Sequence, residues 1–216
     1  MSKSHLLCLQ LASELSLIAQ SFQNQFIPQI AYTYMYDRKF GKNKAINYQF
    51  TIQEAGNLCW SICELAGHKG EKQLFNTPFS QFLKASTQIV FSHRLLNTNW
   101  LYARIATGAA CAYGNSTQVP YSEQFYVGGA NSVRAFTVRS LGPGSYKDPK
   151  STVNDYFDQT GTFKFEMNLE YRFPIYKAFK GAMFVDAGNV WLLKEDEEFE
   201  TEAVETVDTA EGVVEE

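Results

Sequence analysis

A chain of 216 residues has room for one large domain or two small ones. Its net charge of −4 leaves no global basic field to recruit nucleic acid. No run of about 18 apolar residues is present to form a membrane-spanning helix, which does not bear on strands. The aromatic share is high, with 17 Phe, 12 Tyr and 3 Trp making 15%. Aromatic side chains favour strands, and membrane barrels carry them in belts at both interfaces. A mean hydropathy of −0.26 fits a soluble domain and a barrel alike, because alternating strands average out.

The chain opens with Lys3 and an apolar stretch from Leu6 to Leu11, interrupted by Glu14 and Gln20. That pattern reads as an amphipathic, helix-like segment over residues 5–22 rather than a signal peptide, so 1–25 is set apart from the rest of the chain. From residue 26 on, period-two alternation dominates. In 28–36, Ile30, Tyr32, Tyr34 and Tyr36 share one face. In 45–53, Asn47, Gln49, Thr51 and Gln53 alternate with Ile46, Tyr48, Phe50 and Ile52. In 82–92, Lys84, Ser86 and Gln88 alternate with Leu83, Ala85, Thr87, Ile89 and Phe91. In 99–110, Trp100, Tyr102 and Arg104 alternate with Leu101, Ala103 and Ile105. The clearest run is 163–173, where Phe163, Phe165, Met167, Leu169, Tyr171 and Phe173 oppose Lys164, Glu166, Asn168, Glu170 and Arg172. A last strand covers 178–191 and carries Asp186.

Side chains of a strand alternate between faces, so one face here is apolar and the other polar. A soluble sheet with one wet face gives the same alternation. A polar side bearing both signs of charge and an apolar side of long and aromatic residues favour a water-filled lumen inside and lipid outside. Short turns at 37–44, 93–99 and 174–177 and longer connections elsewhere suit an antiparallel meander. Residues 194–216 are rich in Glu and Asp and, past Lys194, lack Lys and Arg, as a disordered acidic tail would be.

Catalysis has little to work with. The histidines are His5, His68 and His93, with no Gly-x-Ser-x-Gly elbow, and Gly128-Gly129 lacks the Lys and Ser/Thr of a phosphate loop. Cys8, Cys59, Cys63 and Cys111 do not have metal-site spacing and read as isolated apolar thiols. Neither a metal nor a cofactor is expected.

The long connection 114–162 is different, because long ordered loops are usually functional. It contains Gly128-Gly129 and then Ser132-Val133-Arg134-Ala135-Phe136. Arg134 lies between apolar neighbours; if buried it needs a carboxylate, and Glu170 and Asp186 are offered by the two following strands. The alternative is a solvated loop charge.

The block Tyr126 to Phe136 resembles the sixth-loop motif of the Omp85 superfamily, written Val-Arg-Gly-Phe or Val-Arg-Gly-Tyr. Leu169-Glu170-Tyr171-Arg172-Phe173-Pro174 and Phe184-Val185-Asp186-Ala187-Gly188-Asn189-Val190-Trp191 resemble the two strands that follow that loop. The resemblance covers residues 26–193 and is strongest to BamA/TamA-like assembly proteins. It implies an all-β fold: an antiparallel transmembrane β-barrel segment, about six strands of a 16-stranded barrel, with a lumen-facing loop. It implies that Arg134 projects into the lumen, that Glu170 and Asp186 are its partners on the wall, and that the loop is locked by Val133, Arg134, Ala135 and Phe136 with Gly128 and Gly129. Ala135 stands where the family has glycine, and a positive φ there would be strained.

The implied function is outer-membrane protein assembly or insertion in a bacterial cell, without covalent chemistry. Implied partners are outer-membrane lipids, client β-barrel proteins and accessory assembly lipoproteins, with no nucleic acid. No POTRA-like unit is read before residue 26, and about six strands do not close such a wall, so a truncated and inactive piece is expected. The competing readings are a passive pore or surface antigen, and a soluble one-sided sheet with a binding role.

Overall fold

The computed structural model describes residues 26–65, 67, 73–74, 77–95, 98–145, 159–176 and 179–193. The N-terminal segment 1–25, the acidic tail 194–216, His5, His68 and Cys8 lie outside the described residues. Six long strands form one antiparallel sheet: β1 (Gln29–Phe40), β2 (Lys44–Ala55), β5 (Phe82–Arg94), β6 (Trp100–Ala112), β7 (Phe163–Tyr176) and β8 (Phe179–Trp191). Two short strands, β3 (Gln73–Leu74) and β4 (Thr77–Pro78), pair separately. Neighbours in space follow chain order β1-β2-β5-β6-β7-β8, a meander. Each long strand has 12 to 14 residues, enough for a tilted bilayer crossing of about 9–11.

The register carries the alternation of each strand across the whole sheet. Tyr36 pairs with Tyr48, Tyr48 with Ile89, Ile89 with Ile105, Ile105 with Met167 and Met167 with Ala187. On the opposite face Asp37, Asn47, Val90, Arg104, Asn168 and Asp186 form the matching row. A slip of one residue in any strand would exchange its faces. The first face is therefore apolar along this mid-height row, with charged residues such as Arg38 and Lys44 only towards its rim. Along β7 it is banded, with Phe163 and Phe165, then Met167 and Leu169, then Tyr171 and Phe173. Aromatic ends around an aliphatic middle are what a lipid-facing wall presents. Ile89, Ile105, Met167 and Leu169 remain exposed on it.

The connections also sort by length. The links β1–β2, β5–β6 and β7–β8 are short and lie at one end of the sheet, and the links β2–β5 and β6–β7 are long and lie at the other. Within the first long connection lies a helix that the periodicity did not announce, α1 (Asn57–Leu65). Its residues Cys59 and Cys63, four apart, share one face and pack on Phe79. Burial, the Cys63 thiol and Glu54 push the Cys59 thiol pKa up, so it stays protonated. Cys111 sits on the outer face of β6.

The buried core occupies the long-loop end of the inner face. Ala55, Phe82, Ala110 and Ala112 from the strands meet Val119, Phe125 and Val127 from the second long connection. A lipid-facing wall should resist charge at mid-height and tolerate it at the rim. Ile105→Arg is expected to cost about 2–4 kcal/mol of stability in vesicles, and Leu101→Arg about 0–1 kcal/mol, by denaturant titration. Equal costs at both positions would remove the lipid-facing assignment.

Candidate functional site

The second long connection turns back onto the inner face. It enters through Phe125, whose backbone exchanges two hydrogen bonds with Gly161 at 2.8 and 2.9 Å. Its next part folds on itself. The Arg139 N–H donates to the Val127 carbonyl at 3.0 Å, and the Gly129 N–H to the Phe136 carbonyl at 2.9 Å. Gly128 and Gly129 have φ of 105° and 91°. A Cβ on Gly128 would stand 2.1 Å from the Thr137 carbonyl oxygen, so the two arms can close only without one. Two tight turns make the tip, with Ser132 N–H to Gly129 O at 3.1 Å and Phe136 N–H to Val133 O at 3.1 Å.

The wall is shaped to receive this tip. Gly188 of β8 faces inward, and a Cβ there would lie 3.0 Å from Val133 Cγ2. Gly108 of β6 does the same for Phe125, whose ring would be 2.6 Å from such a Cβ. Both partners are buried. Further along, the Gly144 N–H donates to the Val190 carbonyl at 2.7 Å, and the Asn189 amide donates to the Gly144 carbonyl at 2.7 Å. The loop thus also covers the long-loop end of the β8 edge.

Arg134 lies at the tip. Its Nε and Nη2 donate to the two carboxylate oxygens of Asp186 at 2.8 and 2.9 Å, a bidentate fork. Its Nη1 donates to Glu170 at 2.6 Å, and its backbone N–H to Asp186 at 3.1 Å. The guanidinium carbon sits 3.7 Å from the centre of the Phe184 ring, in cation–π contact. Asp186 also accepts from Asn168 at 2.9 Å. Arg172 hydrogen bonds Glu170 from the other side. The structure therefore brings Arg134, Glu170 and Asp186 together. Ala135 escapes the strain that a positive φ would bring, because Arg139 alone among described non-glycine residues has one. The Phe136 side chain is half exposed, and the ring takes no part in the buried core; its carbonyl closes the hairpin.

A second set of contacts was not read from the sequence. Arg104 donates to Glu166 at 3.0 Å, Asn168 at 2.8 Å, Gln88 at 2.9 Å and the Asn131 carbonyl at 3.3 Å. Ser132 donates to Glu166 at 2.6 Å and accepts from the Gly128 N–H at 3.0 Å. Glu166 is 1% exposed, so these partners carry its buried charge. Alternation placed Arg104 and Glu166 on the inner face, but only the register makes them neighbours. No metal-holding group of three His, Cys, Asp or Glu residues occurs among the described residues.

Residues 69–211 match the Omp85 superfamily domain, well over half of the chain. The chain belongs to the Omp85 superfamily. Membership makes the sheet part of a bacterial outer-membrane β-barrel. An 89-residue stretch is 32% identical to the outer membrane protein assembly factor BamA of Neisseria meningitidis serogroup B. That stretch is 39% of this chain and 11% of that protein, so the chain spans a small part of its relative. In this Omp85 chain the glycine notch should hold the tip by shape. Gly188→Val overpacks the Val133 contact by about 1–3 kcal/mol. Trypsin cleavage at Arg134 and Arg139 should then quicken on the order of tenfold. An unchanged cleavage rate would show that the notch does not seat the tip.

Proposed function

We propose that the sheet and its inserted loop serve the assembly of outer-membrane proteins, performing no covalent chemistry. The observation that carries this reading is the Arg134 fork, which joins the tip of the loop to β7 and β8 at once. Family membership and the assembly role of the neisserial relative support the same direction. In this reading Val133, Arg134, Ala135 and Phe136 are the lock of the loop. Gly128 and Gly129 let its arms close, and Glu170 and Asp186 hold it on the wall. The clients are β-barrel proteins, assisted by accessory lipoproteins, in contact with outer-membrane lipids. The described sheet lies within a barrel unit of residues 26–193, flanked by the segment 1–25 and the tail 194–216.

The lock matters to such a function because it fixes the wall on one side of the barrel. Motion needed to admit a client strand is then confined to other strands. A bidentate arginine is suited to this because it defines orientation as well as distance.

The test places residues 26–193 of this chain in place of the matching strands and loop of a complete Omp85 barrel, in vesicles with an unfolded β-barrel client. Faster client folding than in empty vesicles supports the proposal, no acceleration by the completed barrel sinks it, and acceleration by the 216-residue chain alone overturns the expectation that it is inactive by itself. Discrete conductance steps without client dependence would instead favour a passive pore, for which the polar inner wall offers the motivating observation.

The lock has its own signature. Arg134→Ala and Asp186→Ala should be non-additive in stability, with a coupling of about 1–3 kcal/mol in a double-mutant cycle. Zero coupling rejects the pair as a functional unit.

A further inference from the structure

The short-turn end of the sheet bears a charged surface that the loop does not use. The β1–β2 tip reads Arg38-Lys39-Phe40-Gly41-Lys42-Asn43-Lys44, and every one of these residues is exposed. Four of the seven are cations. Their acidic neighbour, Asp37, points to the inner face and accepts a hydrogen bond from the Asn47 amide. Among the described residues no ion pair involves Arg38, Lys39, Lys42 or Lys44.

Register decides where these charges sit. Arg38 pairs with Ile46, and Phe40 with Lys44, which places Arg38 and Lys44 on the apolar outer face. Lys42 stands in the turn between them, and Lys39 follows Arg38 at the rim. The outer row of Lys44 continues through His93, Leu101 and Tyr171. The Arg38 guanidinium carbon lies 5.1 Å from the centre of the Phe40 ring, and its Nη1 donates to the Tyr36 hydroxyl at 3.3 Å. A cation is thus held against aromatic rings at the border of the aliphatic band. At the β7–β8 tip on the same end, Ile175, Tyr176 and Phe179 are exposed beside Lys180.

We propose that the β1–β2 tip binds the anionic headgroups of phospholipids in the leaflet on the short-turn side. The proposal rests on the lipid-facing reading of the outer face and adds to it the charge of the lipid. Four cations without carboxylate partners among the described residues repel one another unless anions lie nearby. Long basic side chains on an apolar face reach outward to headgroups while their stems cover the hydrocarbon border. An acidic protein partner would not need Arg38 and Lys44 on the lipid side of the strand. Each Lys or Arg close to an anionic surface strengthens binding about fivefold.

The experiment compares binding of the full chain, diluted from detergent, to phosphatidylcholine vesicles with and without phosphatidylglycerol. The variant Arg38→Gln/Lys39→Gln/Lys42→Gln/Lys44→Gln should lose about 600-fold in affinity for the anionic vesicles at low salt. Its binding to neutral vesicles should not change. The charge-retaining set Arg38→Lys/Lys39→Arg/Lys42→Arg/Lys44→Arg should keep the anionic preference. Undiminished binding of the glutamine variant to anionic vesicles overturns the proposal, and so does an equal loss on both vesicle types. Failure of the parent chain to enter neutral vesicles counts against the lipid-facing reading instead. The charge dependence on anionic vesicles still decides the headgroup site.

Discussion

A guanidinium can be drawn partly away from bulk water only where its donors find acceptors, and Nε, Nη1 and Nη2 of Arg134 each find one, on two strands at once. Asp186 takes the fork and a backbone N–H, Glu170 takes the remaining edge, and Phe184 supplies the ring beneath. These groups sit at fixed heights on β7 and β8, so the loop tip can satisfy its charge in one position only. Asn168 ties the same arrangement to the loop backbone through the Ser132 carbonyl at 2.7 Å. Leaving any member unpaired would strand a charge that is now mostly covered.

The inner surface is graded along the strands, and the grading explains how the loop stays in place. Near the long-loop end the contacts are apolar, with Phe125 and Val127 against Ala110 and Val190. Towards mid-height they become charged, around Arg104, Glu166, Arg134 and Asp186. Glycines at 108 and 188 sit between these regimes and allow close approach of side chain to wall. Exposed rings return at the short-turn tips, on Phe40, Tyr176 and Phe179. Polar ties inside and apolar bands outside are consequences of one register, because each strand contributes to both.

Much of the wall was legible because period-two alternation is a local property. Ile105 and Arg104 fall on opposite faces whatever their neighbours are. The six strands accordingly appear close to where alternation put them, extended by a few residues at their ends. What depends on neighbours was not legible. Arg104 meets Glu166 only through the β6–β7 register, and no feature of either local sequence announces the pair. Phe184 looks like an exception on a polar face until a guanidinium lies on it. The helix at 57–65 is nine residues long, too short for a helical period to stand out beside two strands. In the sequence Cys59 and Cys63 look like isolated thiols, and their spacing of four acquires meaning only once Phe79 lies across both. Chain order and charge offer Arg134 two carboxylates and leave a solvated loop charge open; the pairing is what the resemblance implies, and the fork geometry is visible only in the structure.

The two kinds of contact made by the loop differ in what they can do energetically. Burying a side chain such as Phe125, Val127 or Val133 contributes about 1.5–3 kcal/mol each, and this attraction has no direction. The Arg134 pair contributes less in net terms, because its charges must first leave water. Apolar burial therefore decides that the loop lies inside, whereas the fork decides at which height and in which rotation. That division fits the exposures of the partners: Asp186 is 4% accessible and rigidly bonded, while Arg134 keeps 25% of its side chain open towards the lumen. A lock of this type fixes position without contributing most of the binding energy. Its loss should be felt as misplacement of the tip rather than its release.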